Sequence, residues 1–181
     1  IEMIARSLVS VGVRKLRLTG GEPLMRRDLD VLIRRLATIE GVDDVAMTTN
    51  GSLLTANAQK LAEAGLHRVT VSLDALDNAI FGKMNGVGAK ADRVIEGVDA
   101  ALAAGLGVKI NTVVQKGINE SELLPLAQFA HERNISIRYI EFMDTGNTNG
   151  WKHEQVVPSL KVLEKLQEHF SLEPVTNVAI G

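Results

Sequence analysis

Short runs rich in Val, Ile and Leu alternate along the chain with longer stretches whose apolar residues recur three and four positions apart. The short runs cover residues 15–19, 44–49, 68–73, 108–114 and 136–142, and they predict five β-strands. The longer stretches predict helices. Leu29, Leu32, Ile33 and Leu36 mark one; Ala58, Leu61 and Ala62 a second; Val94, Ile95, Val98 and Leu102 a third; and Leu123, Leu126, Ala127 and Ala130 a fourth. Helix ends agree with this reading. Gly12, Gly41, Gly65 and Gly105 stand where a helix stops on a left-handed residue. Asn119 with Glu122 predicts a capping box ahead of the fourth helix, and Pro158 opens a last one that reaches about His169. Ile1 to Arg6 already follow a helical period with no N-cap before them, which predicts a chain that continues upstream.

Strict alternation of strand and helix forces parallel strands joined by right-handed crossovers. An open doubly wound sheet and a barrel both satisfy that rule. The predicted strands end in polar residues: Thr19 to Glu22, Thr48 to Asn50, Ser72 and Asp74, Asn111 and Thr112, then Glu141, Met143 and Asp144. A doubly wound sheet gathers its site at one switch point, whereas a parallel barrel builds it from the ends of several strands. The expected fold is therefore α/β, an incomplete parallel (β/α) barrel of about five strands. Its core is expected over residues 1–157, with residues 158–181 beginning a C-terminal region. The loop over 143–157, carrying Gly146, Asn147, Asn149, Gly150 and Trp151, is long enough to suggest a functional role.

Composition narrows the function. A chain of 181 residues, 45% hydrophobic and 23% charged, can bury a single core. Its net charge of -2, with Lys and Arg scattered, argues against a nucleic-acid partner or an acidic membrane surface. No apolar run approaches the roughly 20 residues that span a bilayer. A soluble, cytoplasmic protein is expected. There is no cysteine, so these residues form no disulfide and ligate no cysteine-bound zinc or iron–sulfur centre. His67, His131, His153 and His169 lack metal-ligand spacing, and no metal ligand is expected within the chain.

Two groups of residues suggest chemistry. Gly20-Gly21-Glu22-Pro23 follows the first predicted strand. Its glycines let backbone N–H and C=O groups approach a ligand, Pro23 stiffens the exit, and Glu22 can pair with an ammonium. The plainer alternative is a βα turn whose glycines serve only sterics. The second group is cationic. Arg17, Lys109 and Arg138 each alternate with apolar residues within a strand, so all three are expected on the inner face of the barrel. Buried cations need anions, either partner carboxylates or a phosphorylated ligand. The alternative is that they point into solvent or pair with nearby acids. Thr48, Asn50, Ser72 and Asn111 at strand ends suit ribose or base edges, and equally suit helix caps and turns.

At these residues the chain resembles known proteins. Leu18-Thr19-Gly20-Gly21-Glu22-Pro23-Leu24-Met25-Arg26 resembles the Gly-Gly-Glu-Pro motif of radical S-adenosylmethionine enzymes. Thr48-Thr49-Asn50-Gly51, Val71 to Asp77, Lys109 to Val113, Arg138 to Asp144 and Gly146-Asn147-Thr148-Asn149-Gly150-Trp151 are similar in order to the GTP 3′,8-cyclase family of molybdenum cofactor biosynthesis. The resemblance implies a partial barrel in which a 4Fe–4S cluster splits S-adenosylmethionine. The 5′-deoxyadenosyl radical then takes hydrogen from C3′ of GTP, and the ribose carbon attacks C8 of guanine. It also implies that Gly20, Gly21, Glu22, Ser72 and Met143 hold S-adenosylmethionine, and that Arg17, Thr48, Lys109 and Arg138 contact GTP. A homodimer is implied as well.

One part of the family pattern is missing. The family binds one 4Fe–4S cluster through a Cys-x3-Cys-x2-Cys motif and a second through three C-terminal cysteines, and this chain has neither. The expectation is that both motifs lie outside residues 1–181 and that the chain by itself does not turn over. The competing readings are a radical enzyme acting on a peptide or sugar and a cluster-less barrel serving as a binding or scaffold module.

Overall fold

The computed structural model describes residues 1–86, 88–144 and 150–175. Helix α1 (Glu2–Ser10) leads into strand β1 (Lys15–Leu18), and α2 (Leu29–Ala37) into β2 (Asp44–Thr49). Then come α3 (Leu54–Glu63), β3 (Arg68–Ser72), α4 (Asn78–Asn85), α5 (Ala91–Ala103), β4 (Gly107–Val114), α6 (Leu123–Glu132), β5 (Ser136–Glu141) and α7 (Ser159–Gln167). All five strands are parallel and lie in the sheet in chain order. Sequential order with right-handed crossovers puts every connecting helix on the same face, the winding of a barrel wall and not of a doubly wound sheet.

The register divides the strand residues between the two faces. Val45, Met47, Val69, Val71 and Ile110 turn toward the helices and join Ile33, Leu61, Val94, Val98 and Leu126 in the main core. Arg17, Thr48, Thr70, Ser72, Lys109, Asn111 and Arg138 alternate with them and occupy the opposite, open face. A second small core of Val114, Leu123, Val157 and Val162 packs α7 against the end of the wall, with Tyr139 beside it. Among the described residues, no helix is long and apolar enough to cross a membrane.

The predicted glycine stops hold: Gly12, Gly41, Gly65 and Gly105 all take positive φ. Two expectations do not. The predicted capping box of Asn119 and Glu122 is not formed. The Asn119 side chain instead donates to the carbonyls of Asp74 and Val113, and the Glu122 carboxylate accepts from the amides of Leu76 and Asp77. The amides of Leu76 and Asp77 belong to the crossover after β3 and draw the Glu122 carboxylate away from its own helix, while the carbonyls of Asp74 and Val113 draw the Asn119 amide group. The crossover from β3 to β4 also holds two helices instead of one. The additional α4 starts on Asp77, whose carboxylate accepts from the amides of Ala79 and Ile80, both at 2.8 Å.

Candidate active site

Sequence alternation in the strands brings the predicted site residues to one face and one rim. Register sets Thr48, Thr70 and Lys109 in one row across β2, β3 and β4, and Ser72, Asn111 and Arg138 in the next row toward the rim. Residues two strands apart, such as Thr48 and Lys109, stand about 10 Å from each other. Arg17 lies on β1 one row further from the rim, level with Ala46 and Arg68. Gly146, Asn147, Thr148 and Asn149 lie outside the described residues.

The turn after β1 forms the rim at its first strand. Gly20 has φ 146°, which favours glycine, whereas Gly21 is not among the residues at positive φ. A Cβ built on Gly21 meets no atom within 4 Å. Among the described residues no packing contact demands glycine at 21, and the space above its backbone is open to a ligand. Glu22 is held from three sides: its carboxylate accepts from the Leu24 amide at 3.0 Å, the Thr49 hydroxyl at 2.7 Å and the Asn50 amide at 2.7 Å. Among the described residues Oε2 takes the Asn50 donor alone, which leaves it acceptor capacity for an ammonium group. Glu22 is thus a brace between two strand ends as well as a candidate ligand, a double role that the motif alone did not show.

At the ends of β3, β4 and β5 the geometry is polar. Ser72 is exposed at the last position of β3. Beside it, the Oδ1 atom of Asn111 is buried and has no hydrogen-bond partner among the described residues. Asp74 accepts from the Val113 amide at 2.8 Å, and burial pushes its carboxyl above the ordinary aspartate range. Met143 is 57% exposed beyond β5, and the indole of Trp151 donates to the Phe142 carbonyl at 3.0 Å, tying the long loop to the same rim.

The cations differ from expectation in one respect. Arg17 and Arg138 are exposed and Lys109 is half-buried, so none pays the full cost of burial. A five-stranded wall leaves its inner face open to water, which solvates them. They are also unpaired. Among the described residues Arg17, Lys109 and Arg138 make no salt bridge or side-chain hydrogen bond, whereas Arg68 on the same face is held by the Asp44 carboxylate at 2.6 Å. Three unpartnered positive charges on one face form a field that attracts an anion.

The profile of the Radical SAM superfamily matches residues 1–130. The chain belongs to the radical SAM superfamily. Among its relatives, a GTP 3′,8-cyclase of Staphylococcus carnosus is 51% identical over 175 residues, covering 97% of this chain and 52% of that protein. A GTP 3′,8-cyclase of Staphylococcus aureus is 48% identical over 172 residues, covering 95% of this chain and 51% of that one. The chain spans about half the length of the curated relatives it matches. Among solved structures, Streptococcus suis SuiB superposes with a TM-score of 0.74 at 23% identity, covering 92% of this chain and 39% of that one. That likeness shows the fold, a parallel α/β partial barrel of the radical SAM type.

Radical SAM enzymes use S-adenosylmethionine with an iron–sulfur cluster, and the two groups meet different answers in this chain. The open backbone at Gly21, the exposed Ser72 hydroxyl and the orphaned Asn111 oxygen fit a methionine-bearing nucleoside. A 4Fe–4S cluster needs thiolate ligands, and the sequence has no cysteine. Among the described residues no group of three His, Cys, Asp or Glu could hold a metal ion. These residues therefore do not fit a cluster, and no chemical step is assigned to one bound by them.

Proposed function

We propose that this chain forms the ligand-cradling barrel of a GTP 3′,8-cyclase, which converts GTP to (8S)-3′,8-cyclo-7,8-dihydroguanosine 5′-triphosphate in the first step of molybdopterin biosynthesis. The observation that carries this reading is the set of unpaired cations, Arg17, Lys109 and Arg138, facing one way on a radical SAM barrel. A nucleoside triphosphate is the anion that such a spread of charge suits, and about half of the residues are shared with GTP 3′,8-cyclases.

S-adenosylmethionine, when bound, supplies the group that removes hydrogen from the ribose. Gly20 and Gly21 offer it backbone groups at its methionine end, Glu22 accepts its ammonium, and Ser72 and Met143 hold its nucleoside. Arg17, Lys109 and Arg138 neutralise the triphosphate and Thr48 fixes the nucleotide beside them. Each charge-assisted contact contributes about 1.5 to 3 kcal/mol. Two 4Fe–4S clusters belong to the enzyme on this reading, on ligands that this sequence does not contain, and the 181 residues alone do not turn over GTP. A cytoplasmic homodimer, with a barrel over residues 1–157, completes the assignment.

Calorimetric titration with GTP and with ATP tests it. The intact gene product binds GTP more tightly than ATP, and Arg17→Ala or Lys109→Ala weakens GTP at least tenfold. Equal affinity for the two nucleotides, or normal GTP binding by both variants, overturns the reading.

A further inference from the structure

Six polar side chains are buried among the described residues: Asp30, Thr49, Thr70, Thr112, Asn119 and Glu122. Five have internal partners. Asp30 pairs with Lys60, Thr49 donates to Glu22, and Thr112 donates to the Leu73 carbonyl. Asn119 donates to two carbonyls, and Glu122 accepts two amides. Thr70 is the exception. It is 6% exposed, and its hydroxyl has no hydrogen-bond partner among the described residues. Nor is that oxygen among the fully enclosed orphans, where Asn111 Oδ1 alone is found, so it remains reachable from the open face.

Its position gives the exception meaning. Thr70 is the register partner of Thr48 on one side and of Lys109 on the other, at the centre of the open face. A small notch opens there, lined by Arg68, Val69, Thr70, Gly107, Val108 and Lys109. Gly107 brings no side chain to it, and a Cβ at that position would stand 3.2 Å from Arg68 Cβ. Arg68 has its charge offset by Asp44, which takes its Nε and Nη2, so the uncommitted charge at the notch is the Lys109 ammonium, with the Thr70 hydroxyl beside it. Both are donors toward an anion, and a hydroxyl that is reachable from the open face and engaged by no group of the fold is available to a ligand.

We propose that Thr70 is a further substrate-binding residue, whose hydroxyl donates to a phosphate oxygen of the nucleotide that Lys109 holds. The proposal rests on the nucleotide reading above. It sets Thr70 apart from the other buried threonines, whose hydroxyls are consumed by the fold.

Thr70→Val removes the hydroxyl and keeps the branched shape, while Thr70→Ser keeps the hydroxyl. Calorimetry on the intact gene product is run with GTP and with guanosine, which has no phosphate. Thr70→Val is expected to weaken GTP binding about tenfold or more, the loss of one hydrogen bond to a charged group, and to leave guanosine unchanged. Thr70→Ser is expected to stay within about threefold of the parent for GTP, a fraction of that one bond. Thermal unfolding separates binding from structure: removing a hydroxyl that the fold does not use leaves the Tm of Thr70→Val equal or higher. A lowered Tm, an equal loss for GTP and guanosine, or normal GTP binding by Thr70→Val overturns the assignment. If Lys109→Ala still loses GTP in that last case, the nucleotide reading stands without Thr70. If the parent protein binds no GTP, both fail together.

Discussion

The Thr49 hydroxyl donates to the Glu22 carboxylate across 2.7 Å, and this bond joins the turn after β1 to the end of β2. Thr49 Oγ1 in turn accepts from the Gly51 amide at 3.0 Å, so a three-member chain runs from the glycine turn into the next crossover. Glu22→Ala leaves the amides of Leu24 and Asn50 without their acceptor and is expected to cost about 2 kcal/mol in urea unfolding. Glu22→Gln keeps one oxygen and is expected to cost less than half of that. Equal losses for the two would show that charge, not the acceptor, matters.

Gly21 and Gly51 are both glycines beside a strand end, and the structure predicts opposite behaviour on substitution. Gly51 has φ 77°, and a Cβ there would lie 2.8 Å from Val94 Cγ1 and 2.9 Å from Val71 Cγ1. Gly51→Ala is expected to lower stability by about 1 to 3 kcal/mol, from overpacking together with a strained backbone. Gly21→Ala meets empty space and is expected to leave the Tm unchanged while weakening S-adenosylmethionine binding. Thermal unfolding paired with ligand titration checks both, and a destabilised Gly21→Ala would remove the argument that its open space serves a ligand.

Asp74 gives a pH signature. Burial raises its carboxyl pKa above the ordinary value of 3.8, so the folded state holds this proton more tightly than the unfolded one. Its contribution to stability is complete below 3.8 and is lost as pH rises through the raised value. Asp74→Asn keeps an oxygen for the Val113 amide and has no charge to desolvate. The stability of Asp74→Asn relative to the parent should therefore increase from about pH 4 upward and level off once Asp74 is ionised. Urea midpoints across pH 3.5 to about 8 measure it, and a constant difference would mean that Asp74 is not desolvated.

Tyr139 carries the α6 side of the wall. Its hydroxyl donates to the Leu123 carbonyl at 2.6 Å, and burial pushes its phenol pKa well up. Tyr139→Phe is expected to cost about 1 kcal/mol, because the carbonyl loses its donor. With the folded pKa raised, the stability held by the neutral phenol is lost as pH climbs above the unfolded value near 10. The phenylalanine variant should lack that alkaline loss when unfolding is followed from about pH 9 to 11.

Much of this molecule is legible in the residues themselves. The strand over Asp44–Thr49 follows the predicted bounds, and the others differ by a residue at an end, because apolar runs of β-branched residues stop where polar rim residues begin. Helix α4 was not legible: eight residues interrupted by Gly82 carry too little helical period, and only Asp77 signals its start. Asn119 and Glu122 misled for a related reason. A capping pattern is local, but the amides of Leu76 and Asp77, some 45 residues away, claimed the Glu122 carboxylate.

By itself the sequence determined the five strands, their parallel alternation with helices, the Gly-Gly-Glu-Pro turn and the presence of cations within strands, since these depend on period and on neighbours along the chain. Register was beyond its reach. Only the tertiary structure decided that Arg17, Lys109 and Arg138, expected together on the inner face, stand there exposed or half-buried and without partners among the described residues while Arg68 is held by Asp44, and that of two adjacent row members Thr48 and Thr70 the second is the more buried, with a hydroxyl the fold does not use. Pairing across a sheet is settled by contacts between residues distant in sequence, and one step of register exchanges the two faces.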